Sequence, residues 1–429
     1  MNVLLVTYSF PPAGGVGVLR ASSLARYLPA EDIRLDVLTT RNASAVGLDQ
    51  GLLDKIPSEV VIHRTFTFDL PFGLKKAIKR LIATGKTDAT NIDSQCRKPG
   101  FIERVLQNLL LPDPQVTWMP MLVHTAYRII RDREIDLVLI TVPPFSTMML
   151  VKKLRERFPN LPTVIDFRDE WLSSSLKLIS FNKSEEALRI ACDTEATAMR
   201  SASTVVTVTK AAQRVMRLRY PKEPEGKFQM IPNGFDARPA LPTKDRQGKF
   251  VLTYVGSLYK STDPTWFVEA VSSLPPEVRS MLKLRFIGHI EDAHYRESLL
   301  RLGDTVELKG FLPQSEALDL TADTDALLMI SHDAVNVPAK FYDYISLGRP
   351  ILATVNPGGD ARHILEELKA GWWADSYNTM AIRRLLINVI VHGESMATSF
   401  RPDPEKIAQY ERGALTKRYA TLLHSIAKD

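Results

Sequence analysis

Short runs of β-branched and aliphatic residues alternate, along most of the chain, with stretches whose apolar positions recur every three or four residues. Apolar runs of that length predict buried strands. Their alternation with amphipathic helical stretches predicts an α/β protein in which helices cover parallel sheets. In the first half the expected strands are Val3–Thr7, Leu35–Thr39, Val60–His63, Leu137–Thr141, Thr163–Asp166 and Thr204–Thr207. In the second half they are Val251–Val255, Leu284–Ile287, Val306–Lys309, Ala326–Ile330 and Ile351–Thr354.

Two polar stretches interrupt the rhythm in the middle of the chain. Arg219–Gly226 is rich in proline and charge, and Ala237–Lys249 precedes a fresh strand. The hinge is therefore expected within Ile231–Lys249. This gives a first domain over residues 1–235, a second over 236–405, and a terminal helical segment, 406–429, that packs back onto the first. Residues 68–113 break the pattern differently. Leu70, Leu74, Ile78, Leu81 and Ile82 form one helical stripe, with Lys75, Lys76, Lys79 and Arg80 beside or opposite it, and Phe101, Ile102, Val105, Leu106, Leu109 and Leu110 form a second. Two readings stand: helices packed on their own domain, or a basic amphipathic face in peripheral contact with an anionic membrane.

At 429 residues, 45% hydrophobic and 24% charged, the chain is long enough for two domains, each with its own core. Its two cysteines, Cys96 and Cys192, have no metal-binding or redox spacing. The first strand follows Met1 directly, and no run of about 18 apolar residues occurs. The expected location is the cytoplasm, at the inner face of the cytoplasmic membrane if the basic stripe binds lipid. A formal net charge of +6 suits an anionic partner: a phosphorylated substrate, an anionic lipid surface or nucleic acid. Nucleic acid is disfavoured, because the basic residues are dispersed and not interleaved with aromatics.

Four segments carry candidate chemistry. The first, Ser9–Arg20, follows a strand and opens a helix. There Gly14, Gly15 and Gly17 let a ligand approach the backbone, and the free N–H groups of the helix start favour an anion. A dinucleotide-binding turn is the competitor, but the glycine spacing differs and two prolines interrupt; a turn needed only for packing is the plain alternative. In the second, Tyr254–Pro264, a strand ends at Gly256, and Ser257, Lys260 and the nearby His289 lie at strand carboxyl ends, where open α/β sheets bind ligands. Lys260 either neutralises a diphosphate or is a solvated loop lysine.

In the third, Asn336–Pro350, Pro338 starts a short helix that Gly348 ends, with Lys340, Phe341 and Asp343 in its first turns. Asp343 suits a ribose and Lys340 a phosphate; the plain alternative is an i,i+3 ion pair. In the fourth, Val164–Trp171, Asp166, Asp169 or Glu170 could deprotonate or hydrogen-bond a sugar hydroxyl, while Arg168 holds a carboxylate or a phosphate. Asp323-Thr-Asp325 has the form of a metal-binding pair, but it precedes a strand and so reads as a solvated helix end. No metal cluster and no nucleophile elbow emerges, so neither metal nor cofactor is expected.

These segments, in order, together with Thr141–Ser146 and Ile231–Asp236, resemble the GT-B-fold glycosyltransferases of the family-4 type. The likeness is to the bacterial branch that builds surface polysaccharides and lipid-linked saccharides. It covers nearly the whole chain. It implies two Rossmann-like parallel-sheet domains facing each other across a cleft, the first taking the acceptor and the second a nucleotide sugar, without a metal. By that likeness Asp343 stands where a carboxylate holds the donor ribose, Gly15 lies by the diphosphate, and Ser257 and Lys260 occupy the phosphate-binding loop. The activity implied is transfer of a hexose or N-acetylhexosamine from a UDP- or GDP-sugar to a hydroxyl of a lipid-linked or polysaccharide acceptor, with retention. Three positions depart from the family pattern. Val335 replaces the first of two glutamates, Ser257 replaces an arginine, and Asp166–Asp169 occupies the region where a histidine is common. Two further readings are a nucleotide-sugar-binding partner subunit without turnover and a nucleotide-sugar epimerase.

Overall fold

The computed structural model describes residues 1–43, 47–67, 110–173, 184–237, 248–312, 314–393 and 400–427. The basic stripes expected over 68–113 lie mostly outside the described residues. The chain forms two compact units. The first comprises Met1–Val208, Gln213–Ile231 and Thr416–Asp429, and the second Thr209–Ala212 and Pro232–Leu415. The terminal piece that joins the first unit thus begins at Thr416, inside the helix Arg412–Ile426, later than the residue 406 expected from sequence.

In the first unit the strands are β1 (Asn2–Val6), β2 (Arg34–Thr40), β3 (Val61–Thr65), β4 (Leu137–Val142), β5 (Thr163–Phe167), β6 (Thr204–Thr207) and β7 (Phe228–Met230). They pair in parallel in the order β3-β2-β1-β4-β5-β6-β7. In the second unit they are β8 (Phe250–Val255), β9 (Leu282–Ile287), β10 (Val306–Gly310), β11 (Ala326–Ser331), β12 (Ile351–Val355) and β13 (Gly371–Asp375). Their order is β10-β9-β8-β11-β12-β13, again all parallel. Every expected strand is present. The hydrophobic pattern missed β7, which has three residues, and β13, an edge strand that starts on glycine.

Alternation along the second sheet places its core on both faces. Leu252, Tyr254, Phe286, Leu328, Ile330 and Leu352 pack to one side. Leu327, Met329, Ile351, Ala353 and Val355 pack to the other, beneath Phe341, Tyr344 and Ile345 of the helix Ala339–Ser346. The segment after Pro232 pairs with the chain before the last helix: Phe235 N–H donates to Tyr410 C=O at 3.1 Å, and Arg412 N–H donates to Phe235 C=O at 2.9 Å. Gly234 permits that approach, since a Cβ there would stand 2.1 Å from the Tyr410 oxygen.

The last helix is anchored within the first unit by a buried ionic cluster. Arg20, in the helix Val16–Tyr27, donates through Nε to both oxygens of Asp166 at 2.9 and 3.1 Å. Its Nη2 donates to Asp166 Oδ1 at 2.9 Å and to the Ile231 carbonyl at 2.8 Å. Tyr419 donates its hydroxyl to Asp166 Oδ1 at 2.6 Å, and the Arg20 guanidinium lies over its ring. Burial alone pushes the guanidinium pKa down, but Asp166 and Tyr419 outweigh burial and hold it above that of an ordinary arginine. The Tyr419 phenol, desolvated, titrates well above its usual range and remains a neutral donor. Asp166 is completely buried, so its carboxylate is used to hold β5, the first helix and the last helix together. The expectation that it deprotonates an acceptor is corrected on that ground. Replacing one member of such a cluster leaves another charge buried without its partner. Asp166→Asn is expected to destabilise the protein by about 3–5 kcal/mol, read as a lowered urea midpoint.

Candidate functional site

The second sheet has a switch point between β8 and β11. On one side the order runs β8-β9-β10, on the other β11-β12-β13. Such a reversal leaves a crevice at the strand carboxyl ends, because the chains leaving the two strands turn to opposite sides. Pairing of β8 with β11 is confined to Leu252–Ala326 and Thr253–Leu327, whereas β8 pairs with β9 as far as Val255. Past Thr253 the backbone of β8 needs another partner. Tyr344 supplies it: its hydroxyl accepts from Val255 N–H at 2.7 Å and donates to Val255 C=O at 3.1 Å.

Lys340 lies one turn before Tyr344, on the same helix face. Its Nζ donates to the Tyr254 hydroxyl and sits 3.8 Å from the centroid of that ring. Gly256, with φ +128°, closes β8 directly beside it; a Cβ there would stand 3.3 Å from Lys340 Nζ. No carboxylate is ion-paired with Lys340 among the described residues, and the i,i+3 pair with Asp343 does not form. Burial pushes the Lys340 ammonium down to about 7. A cation held in this way, short of counter-charge, is suited to an anionic ligand.

Beyond Gly256 the turn is tied to its surroundings by its own backbone. Leu258 N–H donates to the His289 carbonyl at 2.9 Å, and Gly256 N–H to the Ile287 carbonyl at 2.8 Å. His289 thus contributes its main chain, and its side chain is exposed. Ser257 and Lys260 are exposed on the turn, Asp343 is half-buried and Pro338 precedes the helix. Phe341 is completely buried in the core with Leu327 and Met329, so a donor contact through its side chain is corrected to a packing role.

Sequence reasoning missed Tyr254, Tyr344 and His332. The only available signals were the i,i+4 spacing of Lys340 and Tyr344 and the position of Tyr254 two residues before Gly256. His332, just after β11, grips the same turn: its N–H donates to Ser261 C=O, and its ring Nε2 lies 2.9 Å from Asp263 C=O. Burial lowers the His332 pKa, and a neutral ring facing a carbonyl carries its proton on Nε2. Trp266 and Tyr377 pack against it at 5.1 and 4.8 Å.

In the first unit, Gly15 (φ +98°) precedes the helix Val16–Tyr27, which has no side-chain cap and no acidic residue in its first turn. Gly15 and Gly17 are exposed, and Gly14 N–H donates to Gly47 C=O at 2.8 Å. Arg168 donates to the carbonyls of Gly17, Val142 and Pro143, and burial lowers its pKa. It therefore fixes the glycine turn to the end of β4, with the half-buried Asp169 next to it. Glu170 is buried and accepts from Leu172 N–H, Ser173 and Arg219, which makes it a loop staple and leaves it no role as a base. The Asp323-Thr-Asp325 pair is used structurally: Asp323 binds Arg285 at 3.2 Å, and Asp325 accepts from Val251 N–H at 2.7 Å. Among the described residues no three His, Cys, Asp or Glu side chains are grouped so as to hold a metal ion. None of the described helices is long and apolar enough to cross a membrane.

Two doubly wound parallel sheets, one with a cationic switch-point crevice, define the GT-B class of fold. A model of Glycosyltransferase Family 4 matches residues 13–238, more than half of the chain, and one of glycosyl transferases group 1 matches 242–427. The chain belongs to Glycosyltransferase Family 4. It is 29% identical over 136 residues to WcaL of Salmonella typhimurium, given as a colanic acid biosynthesis glycosyltransferase; that match spans 29% of this chain and about a third (32%) of WcaL. In fold it is similar to HepE of Anabaena in complex with UDP, with a TM-score of 0.64 and 16% identity, over 99% of this chain and 100% of that one. It is also similar to sucrose-phosphate synthase of Thermosynechococcus elongatus, with a TM-score of 0.65 and 14% identity, over 99% of this chain and 98% of that one.

The lowered pKa of Lys340 has a consequence for stability. In the folded protein Lys340 releases its proton near 7, whereas an unfolded lysine keeps it to about 10.4. Between those values the unfolded chain binds more protons, so this residue's contribution rises with pH. Wild type is expected to gain stability relative to Lys340→Met on going from roughly pH 7 to 9.5 in urea unfolding, and a flat difference would contradict the assignment.

Proposed function

We propose that this chain is a glycosyltransferase that moves a hexose or N-acetylhexosamine from a UDP- or GDP-sugar to a hydroxyl of a lipid-linked or polysaccharide acceptor. The observation that carries the reading is the desolvated ammonium of the half-buried Lys340 beside Gly256, at the switch point and with no carboxylate ion pair among the described residues. In the reaction the bond between the anomeric carbon and the diphosphate oxygen breaks, and negative charge gathers on the leaving nucleoside diphosphate. Lys340, Lys260 on the adjoining turn, and the free N–H groups at the start of helix Ala339–Ser346 absorb that charge. Asp343, half-buried on the same helix, accepts from the donor ribose.

Asp166 and Glu170 are tied up in structural clusters, so these two do not form a pair of carboxylates of the hydrolase kind. We take the transfer to proceed with retention, which in this class needs no such pair, and without a metal. The WcaL description and the UDP bound to HepE support a sugar nucleotide as donor. One observation favours a second reading, a nucleotide-sugar-binding subunit without turnover. Val335 offers the donor sugar no polar side chain, and its carbonyl is taken by the Thr209 hydroxyl at 2.6 Å.

A thermal-shift series with UDP-, GDP-, ADP- and dTDP-sugars in EDTA tests the donor site. A UDP- or GDP-sugar is expected to raise the melting temperature, and Lys340→Ala to remove the shift. If no nucleotide sugar stabilises the protein, the donor site is misassigned; if EDTA abolishes the shift, the metal-free reading fails. In a transfer assay Lys340→Ala should lower kcat/KM by about a hundredfold, in the range seen when one charge-stabilising group is lost. A protein with no transfer to lose is the pure binder.

A further inference from the structure

Tyr254 is placed to do more than pack. Its ring is buried at the end of β8, tilted against Phe286 at 5.5 Å between centroids. Its hydroxyl donates to the Ser257 carbonyl at 2.8 Å, a carbonyl that also accepts from Thr262 Oγ1 at 3.3 Å. The same hydroxyl accepts from Lys340 Nζ, whose charge lies over the ring face. One phenol therefore joins the turn Ser257–Thr262 to the helix Ala339–Ser346. The other titratable groups around the pair are the phenols of Tyr344 and Tyr259, with Asp343 beside Tyr344 and the exposed Lys260 on the turn.

We propose that Tyr254 is a positioning residue: it holds Lys340 beside Gly256 and sets its charge, so that the donor diphosphate binds together with one proton taken up at Lys340. The inference rests on the donor-site reading given above. Its physical basis is the low counter-charge around this ammonium. A half-buried lysine whose only hydrogen-bond partner among the described residues is a phenol is poorly stabilised as a cation, and desolvation brings its titration to about 7. The two charges of a diphosphate diester next to Gly256 reverse that balance and keep Lys340 protonated. Tyr254 is not itself the titrating group. Desolvation raises its pKa well above the usual phenol range, so it stays a neutral partner. The ring face and the hydroxyl both favour the charged lysine, the first by its quadrupole and the second as a hydrogen-bond acceptor.

The test is calorimetric titration of UDP-glucose and GDP-mannose from roughly pH 6 to 8.5, in buffers of different ionisation enthalpy. The diphosphate diester of either probe keeps a constant charge over that range. Wild type is expected to take up about half a proton at pH 7 and to lose about fivefold in affinity between pH 7 and 8. Tyr254→Phe keeps the ring but loses the acceptor, so the fall should begin about one pH unit lower. Lys340→Arg, charged throughout, should bind with no pH dependence. Identical profiles for wild type and Tyr254→Phe, both folded by circular dichroism, would overturn the role of Tyr254. Wild-type binding without proton uptake would overturn the coupling while leaving the donor site intact. Absence of binding by either probe at every pH would instead count against the donor site itself.

Discussion

Where β8 parts from β11, the second sheet must satisfy the N–H and C=O of Val255 without a neighbouring strand. A polar side chain has to fill that role, because a buried, unpaired backbone group costs about 1–3 kcal/mol. The helix Ala339–Ser346 meets the need with the Tyr344 hydroxyl, which bonds both groups at 2.7 and 3.1 Å. That requirement fixes the rotation of the helix. One turn earlier, the same face then delivers Lys340 to the end of β8, where Gly256 leaves room for it and Tyr254 receives it. The cation at the crevice follows from the backbone's demand, and the chemistry proposed for the site follows from the cation.

The first unit handles charge in the opposite way. Arg20 and Asp166 are buried together, with Tyr419 and the Ile231 carbonyl completing their hydrogen bonds. Glu170 is likewise closed around Arg219 and the Ser173 turn. These groups are consumed in holding helices and loops to the sheet. Arg168, whose three bonds go to carbonyls, brings a guanidinium to the exposed Gly15–Gly17 turn, with Asp169 next to it. Two units of similar strand order therefore use strand carboxyl ends differently: the first closes Asp166 and Glu170 into ion pairs there, and the second leaves the Lys340 ammonium without a carboxylate partner among the described residues.

Much of this was legible in the sequence. The strands are short and apolar, and their period set the α/β architecture and the position of nearly every strand. The glycines at 14–17 and 256 and the helix opened by Pro338 marked the turns correctly, because φ preferences are local. Phe341 and Asp166 were misread for a common reason: a residue beside a functional position in sequence can face the opposite way once the helix or strand turns it. Phe341 follows Lys340 but points into the core, and Asp166 is the one charged residue of a buried strand, with a carboxylate that a distant arginine pairs. Tyr419 left no signal, and Tyr254 and Tyr344 only their spacing from Gly256 and Lys340. Their roles depend on partners between 86 and 399 residues away, which no local pattern encodes.

The central claim is that the donor enters at the parting of β8 and β11. Hydrogen exchange with and without UDP-glucose or GDP-mannose measures this directly, since backbone amides at a ligand-filled crevice gain protection. The account predicts slowed exchange in Val255–Thr262 and in Asn336–Tyr344, with β12 and β13 little changed. Protection confined to Ser9–Arg20, with the second unit unaffected, would contradict it.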